Sequence, residues 1–280
     1  MDDLQFKAFS SLTHKLTGVS IAPARRPMLI ARVSSRMRAC KIADIDLYLD
    51  RVLEDEQERV MFIDKVTTHE TYFFRTARVW EYIEERFLPA WTKKNGGRTC
   101  KVWSAAASSG QEAYSTAMLM DDYAKKTSGF RFSVHGSDVS AEVVRKCQLG
   151  VYQGRSIDRL RQSRPDFLER YFAPEGEGFR VHDDLKRCVS FSTHNLFDDL
   201  RLSKKYDLIL CRNVLIYFNR EDQLRVLKNL KSAMGQSSVL IIGESERLVS
   251  DNDMFDDIEP LVYGPSVSSI NHQPENRLVC

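Results

Sequence analysis

The chain has 280 residues, of which 42% are hydrophobic, with 41 Lys and Arg set against 39 Asp and Glu. That is an ordinary globular composition, with room for one substantial core and a second, smaller unit. No apolar stretch approaches the roughly 20 residues that cross a bilayer, and MDDLQFKAF is acidic and mixed where a secretion signal is basic and then apolar. The expectation is a cytoplasmic protein with no segment inserted in a membrane.

The six cysteines (Cys40, Cys100, Cys147, Cys188, Cys211, Cys280) are scattered, with no C-x-x-C pair and no His at zinc-ligand spacing, so reduced thiols and no metal are expected. The net charge of +2 conceals an asymmetry. Between Leu4 and Ala43 stand eight basic residues and no acidic one, which leaves the remainder at about −6.

The first 75 residues read as helices. Pro27 suits a first helical position; Ile30, Val33 and Met37 then recur at helical spacing, while Arg32 and Arg36 stand one turn apart on another face. This predicts an amphipathic helix with a basic exposed side. Helical pattern continues in ADIDLYLDRVLEDEQERVMFIDKV and in RVWEYIEERFLPAW, which Pro89 and the turn at Asn95, Gly96 and Gly97 are expected to end.

From Cys100 the pattern changes to alternating strand and helix. Strands are expected at CKVWSA, RFSVHGSD, KYDLILC and SSVLIIG, with helices at 112–125, 141–149 and 220–234. That is the pattern of an α/β fold with a doubly wound, mainly parallel sheet, here over residues 76–264. GEGFRVHDDLKRCVSFSTHNL, residues 176–196, breaks the alternation with two short extended runs around a charged turn, which suggests a small antiparallel insertion at about 174–194. Residues 265–280 lack apolar periodicity and read as a flexible tail.

Ligands of open α/β sheets sit beyond the C-terminal ends of the strands. The first strand exits into Ala105, Ala106, Ala107, Ser108, Ser109 and Gly110, with Glu112 opening the next helix; the second exits at Asp138. An acid there is placed to accept hydrogen bonds from a ribose. Neither G-x-G-x-x-G nor G-x-x-x-x-G-K-[ST] is present, and Glu112 at a helix N-terminus repels phosphate but suits a cation. A cationic nucleoside carrying an amino acid, S-adenosylmethionine, fits this exit better than NAD or ATP. On these residues alone, a buried strand end with Glu112 complementing the helix dipole is an equally good account.

Five ordered segments decide between them: THETYFFR (68–75), SSGQEAYS (108–115), SDVSAEVVRKCQLGVY (137–152), THNL (193–196) and CRNVLIYF (211–218). Together they resemble the chemotaxis receptor glutamate methyltransferases, the CheR family, from the basic helices to about Gly264. The resemblance implies a small all-helical N-terminal domain and a Rossmann-like class I methyltransferase domain that binds S-adenosylmethionine, with a small antiparallel β-subdomain.

Carried over by position, it implies cofactor contacts at His69, Thr71, Arg75, Glu112, Asp138, Asn195, Leu196, Arg212 and Asn213. Arg75 would take the methionyl carboxylate through its guanidinium fork, Asp138 the ribose, and Asn195 with Leu196 the adenine. Tyr217 is the candidate for orienting the acceptor carboxylate. His69 and Gln111 depart from the family's T-N-x-T-x-F-F-R and S-x-G-E-E-x-Y-S patterns.

The implied partner is the set of cytoplasmic methylation helices of chemoreceptors, faced by Arg32, Arg36 and Arg38. The short YFAPEGEGFRV stretch predicts action without a receptor tether peptide. No zinc finger, RRM signature or [DNS]-P-P-[YFW] motif points to nucleic acid, and nothing demands more than a monomer. Two rival readings are a catalytically silent module that senses S-adenosylmethionine or S-adenosylhomocysteine, and a methyltransferase of another acceptor.

Overall fold

Four helices form the N-terminal part of the computed structural model, in which residues 1–198, 205–249 and 253–266 are described. Helix α1 (Asp3–Thr17) starts at a capping box in which Asp2 and Gln5 satisfy each other's backbone N–H groups, and it ends on Gly18 at φ 75°. Helix α2 (Arg26–Cys40) carries Pro27 in its first turn. Asp55 divides the next helical stretch into α3 (Ile45–Glu54) and α4 (Glu56–Val66), its carboxylate accepting the N–H groups of Gln57 and Glu58. These helices bury Phe9, Leu29, Val33, Tyr48, Val52 and Phe62 in a core of their own.

The next helical stretch passes through Pro89 and ends, as expected, only at the turn that begins with Asn95. Helix α5 (Ala77–Tyr82) leads into a π turn (Ile83–Phe87) and then α6 (Leu88–Lys94), with Pro89 in the first turn of α6. Leu88 N–H reaches back five residues to Ile83, and at such a wide turn a residue without an N–H is accommodated.

The main sheet has seven strands: β1 (Thr99–Ala105), β2 (Arg131–Asp138), β6 (Val189–Thr193), β7 (Tyr206–Cys211), β8 (Met234–Ile242), β9 (Phe255–Glu259) and β10 (Val262–Pro265). Their order is β6-β2-β1-β7-β8-β10-β9, parallel except that β10 runs against β8 and β9. Helices α7 (Gln111–Lys126), α8 (Ala141–Leu149) and α12 (Arg220–Ser232) make the crossovers. The first strand order reversal lies between β1 and β7, the usual ligand position of such sheets.

The antiparallel insertion overlaps 174–194 only in part, beginning earlier and ending at Val181. It comprises β3 (Val151–Tyr152), β4 (Phe172–Glu175) and β5 (Gly178–Val181), in the order β3-β5-β4, with α9 (Arg155–Ser163) and α10 (Pro165–Tyr171) between β3 and β4. The charged turn that read as a hairpin is a short helix, α11 (Asp183–Lys186), which delivers β6 to the edge of β2 in parallel register, Asp138 opposite Thr193. Pro265, expected to open the tail, is part of the sheet. Pro265 pairs with Phe255 in the β9 and β10 hairpin, and residues 267–280 lie outside the described residues. Edge strands with one exposed face, such as FDDIE and VSFST, lack the apolar run that marks a central parallel strand. Among the described residues no helix is long and apolar enough to cross a membrane.

Candidate active site

The exit of β1 is held in a backbone conformation that favours small residues. Ala106, Ser108 and Gly110 all have positive φ (65°, 50° and 92°), and a Cβ at Gly110 would lie 2.9 Å from both Cys147 Sγ and Tyr152 Oη. Asp138 braces this loop: its Oδ2 accepts the N–H of Ser108 at 2.8 Å and its Oδ1 that of Ser140 at 3.1 Å. Burial pushes the Asp138 carboxyl above its ordinary pKa, opposed by His69 and by those N–H groups.

Glu112 is paired, which corrects the expectation that its charge awaits a cationic ligand. Its Oε2 accepts from Arg212 Nη1 at 3.0 Å and its Oε1 from Ser104 Oγ at 2.7 Å. Arg212 donates again, from Nη2 to the Arg75 carbonyl at 2.7 Å, while its buried Nε has no partner. The pair leaves lone pairs on Glu112 but neutralises its charge. Arg75 differs: its Nη1 donates to the Glu70 carbonyl at 3.2 Å, and among the described residues no carboxylate lies within ion-pair distance of it. Its fork is open to a carboxylate.

His69 shares a 2.7 Å hydrogen bond between Nε2 and Thr67 Oγ1. Burial lowers its pKa, with Asp138 and Asp64 pulling the other way, so the ring is neutral at pH 7 and offers one donor and one acceptor, as asparagine would. Asn195 donates to the Leu16 carbonyl at 3.0 Å and accepts from the Phe197 N–H at 3.1 Å; Leu196 is buried. Asn213 has φ 60°. Together with Thr71 and Tyr217, the candidate cofactor and catalytic residues line one cleft, whose empty volume is about 1100 Å³ including its open mouth.

Three features of the cleft escaped the sequence. The stretch 17–28 of the helical domain forms one wall, where Arg25 stands over the Tyr217 ring at 5.3 Å and Ser20 N–H donates to the Tyr217 carbonyl at 2.9 Å. A Cβ on Gly18 would meet the Phe197 ring at 1.8 Å, so a glycine lets this wall close. Glu246, buried, accepts three backbone N–H groups, from Asn213 at 2.8 Å, Leu215 at 2.7 Å and Gly243 at 2.6 Å, and so shapes the turn that carries Asn213 and Tyr217. Glu246 lies 33 residues beyond Asn213 and 31 beyond Leu215, and no spacing rule connects such positions.

The α2 arginines lie off the cleft lining, and two of them are not the free exposed charges that were expected. Arg36 holds the buried Glu58 through Nε at 3.0 Å and Nη2 at 2.7 Å, and Arg32 donates to the Val66 carbonyl and to Thr68 Oγ1. Burial lowers the Arg32 pKa. The basic stripe therefore turns partly inward, because α4 packs against α2 and supplies these acceptors. Arg38 is exposed.

The donor set fits a nucleoside cofactor that carries a carboxylate. Arg75 has an open fork, Asp138 faces the cleft, and two buried lining atoms, Ser108 Oγ and His194 Nε2, lack partners. Comparison with known proteins agrees. A family model described as CheR methyltransferase, SAM binding domain, matches residues 69–263, and a second, CheR methyltransferase, all-alpha domain, matches residues 4–67. The chain is 32% identical over 261 residues to a chemotaxis protein methyltransferase of Vibrio parahaemolyticus serotype O3:K6, covering 91% of this chain and 94% of that one. It is 32% identical over 259 residues to a chemotaxis protein methyltransferase of Escherichia coli K12, with 88% and 85% covered. To chemotaxis protein methyltransferase 1 of Pseudomonas aeruginosa it is 29% identical over 267 residues, with 94% and 96% covered.

Proposed function

The chain belongs to the CheR methyltransferase family, whose methyl transfer from S-adenosylmethionine serves chemotaxis, and from that premise we propose that its acceptors are glutamate side chains on the cytoplasmic helices of chemoreceptors. The observation that carries this reading is the cation at the cleft mouth: Arg25 over Tyr217, beside a cofactor site, suits an anionic acceptor.

When bound, S-adenosylmethionine supplies an electrophilic methyl group on a sulfonium centre. Arg75 binds the cofactor's carboxylate, Asp138 its ribose, and Asn195 with Leu196 its adenine. The Glu112 and Arg212 pair fixes the floor between them. His69, neutral, contributes a hydrogen bond in place of the family's asparagine. Tyr217 orients the acceptor carboxylate, and Arg25 holds it in the cleft.

A glutamate with an ordinary pKa of about 4.3 is already ionised near neutrality, so the chain supplies alignment and exclusion of water in place of a general base. Action without a receptor tether is supported by the turn of only Gly176 and Glu177 that joins β4 to β5.

Incubation with S-adenosylmethionine labelled in the methyl group and receptor-containing membranes tests the proposal. The expected product is label on the receptor that mild base releases as methanol. Tight cofactor binding with only base-stable label, or none, on any receptor would replace this reading with another acceptor or with a silent sensor.

A further inference from the structure

Helix α2 offers less free positive charge than its sequence suggests, since Arg36 is spent on Glu58 and Arg32 on Val66 and Thr68. Besides the exposed Arg38, unspent charge lies on α9. One side of this helix buries Ile157 and Leu160. The rest carries Arg155, Arg159 and Arg161, with Asp158 its one acidic residue. Arg161 takes Asp158 at 3.4 Å, and Arg164, just beyond the helix, takes Glu84 at 3.3 Å. Arg155 and Arg159 are exposed and have no carboxylate within ion-pair distance among the described residues.

Two contacts join α9 to the cleft. The Arg159 guanidinium lies 4.0 Å from the centroid of the Tyr72 ring, and Tyr72 lines the cleft with Arg75 5.8 Å from the same ring. One residue after Arg155, Ser156 Oγ accepts from Gln111 Nε2 at 3.2 Å, so the residue that departs from the family's loop pattern holds the start of the helix. Stacking on Tyr72 keeps the Arg159 charge in place and leaves less side-chain freedom to lose when a partner docks.

We propose that Arg155 and Arg159 on the outer face of α9 form a docking surface for the acidic helix that presents the acceptor glutamate, continuous with the cleft through Tyr72. The proposal rests on the glutamate reading above. Charge complementarity identifies the occupant: a helix bearing acceptor carboxylates carries the opposite sign to these unpaired guanidinium groups, and exposed charges of this kind steer association more than they hold the complex.

The test compares the full-length protein with Arg155→Glu and with Arg155→Glu/Arg159→Glu in three measurements. These are cosedimentation with receptor-containing membranes at several salt concentrations, base-labile ester formation, and calorimetric affinity for S-adenosylhomocysteine. Receptor binding of the double variant is expected to weaken about tenfold at low salt and to lose most of its salt dependence. Arg155→Glu, at a position that does not line the cleft, is expected to weaken it about threefold with product affinity unchanged.

Unchanged receptor binding in both variants would overturn the proposal, as would equal wild-type binding to receptor-free vesicles of the same lipids, which would point to a headgroup. If the wild-type protein binds receptor membranes but forms no ester, the glutamate chemistry fails while cosedimentation still judges the docking surface.

Discussion

Two buried arginine and glutamate pairs, one in each domain, have been put to different uses. In the helical domain Glu58 is filled on both oxygens: Oε1 accepts from Tyr48 Oη at 2.8 Å and Arg36 Nε at 3.0 Å, Oε2 from Arg36 Nη2 at 2.7 Å and Cys40 Sγ at 3.1 Å. Burial alone would raise its pKa, but these donors outweigh burial and hold it below the ordinary carboxylate value. At the exit of β7 the Glu112 and Arg212 pair is joined by a single bond at 3.0 Å, with Arg212 Nε unpartnered and the cleft alongside. A buried carboxylate held by four donors belongs to a packed core, whereas a pair with an unpartnered Nε beside a cleft borders a place where a ligand can complete it.

The largest expected effect would break the closed pair. Glu58→Ala strands Arg36 without its partner and is expected to lower the free energy of unfolding in urea by about 3–5 kcal/mol, with S-adenosylhomocysteine affinity of the folded protein preserved. A loss within experimental error would mean that the pair contributes nothing to the helical core.

On the open side, Arg75→Lys keeps the charge but removes the fork. It is expected to weaken product binding about thirtyfold, roughly 2 kcal/mol, at an unchanged urea midpoint. Equal affinity of the two proteins would remove Arg75 from carboxylate recognition.

A third measurement sharpens the comparison through pH. Because the folded pKa of Glu58 lies below its unfolded value of about 4.3, the stability it contributes is fully present above that pH and is lost as pH falls through the folded pKa. Wild type and Glu58→Gln are therefore expected to differ in stability by a constant amount from pH 5 to 8, with the gap closing on further acidification. Parallel acid limbs would show that Glu58 titrates as it does in the unfolded chain.

The smallest effect concerns His69. Burial depresses its pKa, so it stays neutral down to below its ordinary value of 6.5 and protonates only under more acidic conditions. His69→Asn is expected to bind S-adenosylmethionine within about twofold of wild type at pH 7.5. As the pH falls below the ordinary histidine value and the ring protonates, the wild-type affinity should fall relative to the variant, because a second cation enters a cleft that holds a sulfonium. Superimposable pH profiles from calorimetry would refute it.

Much of the cleft is legible in the sequence. Parallel strands buried on both faces read as apolar runs, so KYDLILC and SSVLIIG announce themselves, and the residues following such runs are where the sheet places ligands. That rule points to Ala105, Glu112 and Asp138; the ordered motifs add His69, Asn195, Arg212 and Tyr217, and all four of these line one cleft. Edge strands are less legible. VSFST and FDDIE expose one face and their pairing depends on a neighbour far along the chain, so the segment that forms β6 reads locally as half of an antiparallel hairpin.

By itself the sequence determined the long helices, the central strands and the residues at the strand exits, because these follow from local spacing, caps and turn chemistry. Only the tertiary structure decided who meets whom. Arg212 reaches Glu112 across 100 positions and Glu58 claims Arg36 across 22, while Gly18 admits Phe197 so that the helical domain can wall the cleft. The physical reason is that a charge has no periodicity. Its exposure, pKa and use are set by the acceptors that packing brings to it, and that packing turned two of the three arginines of an exposed-looking basic stripe into structure while leaving Arg155 and Arg159 facing outward.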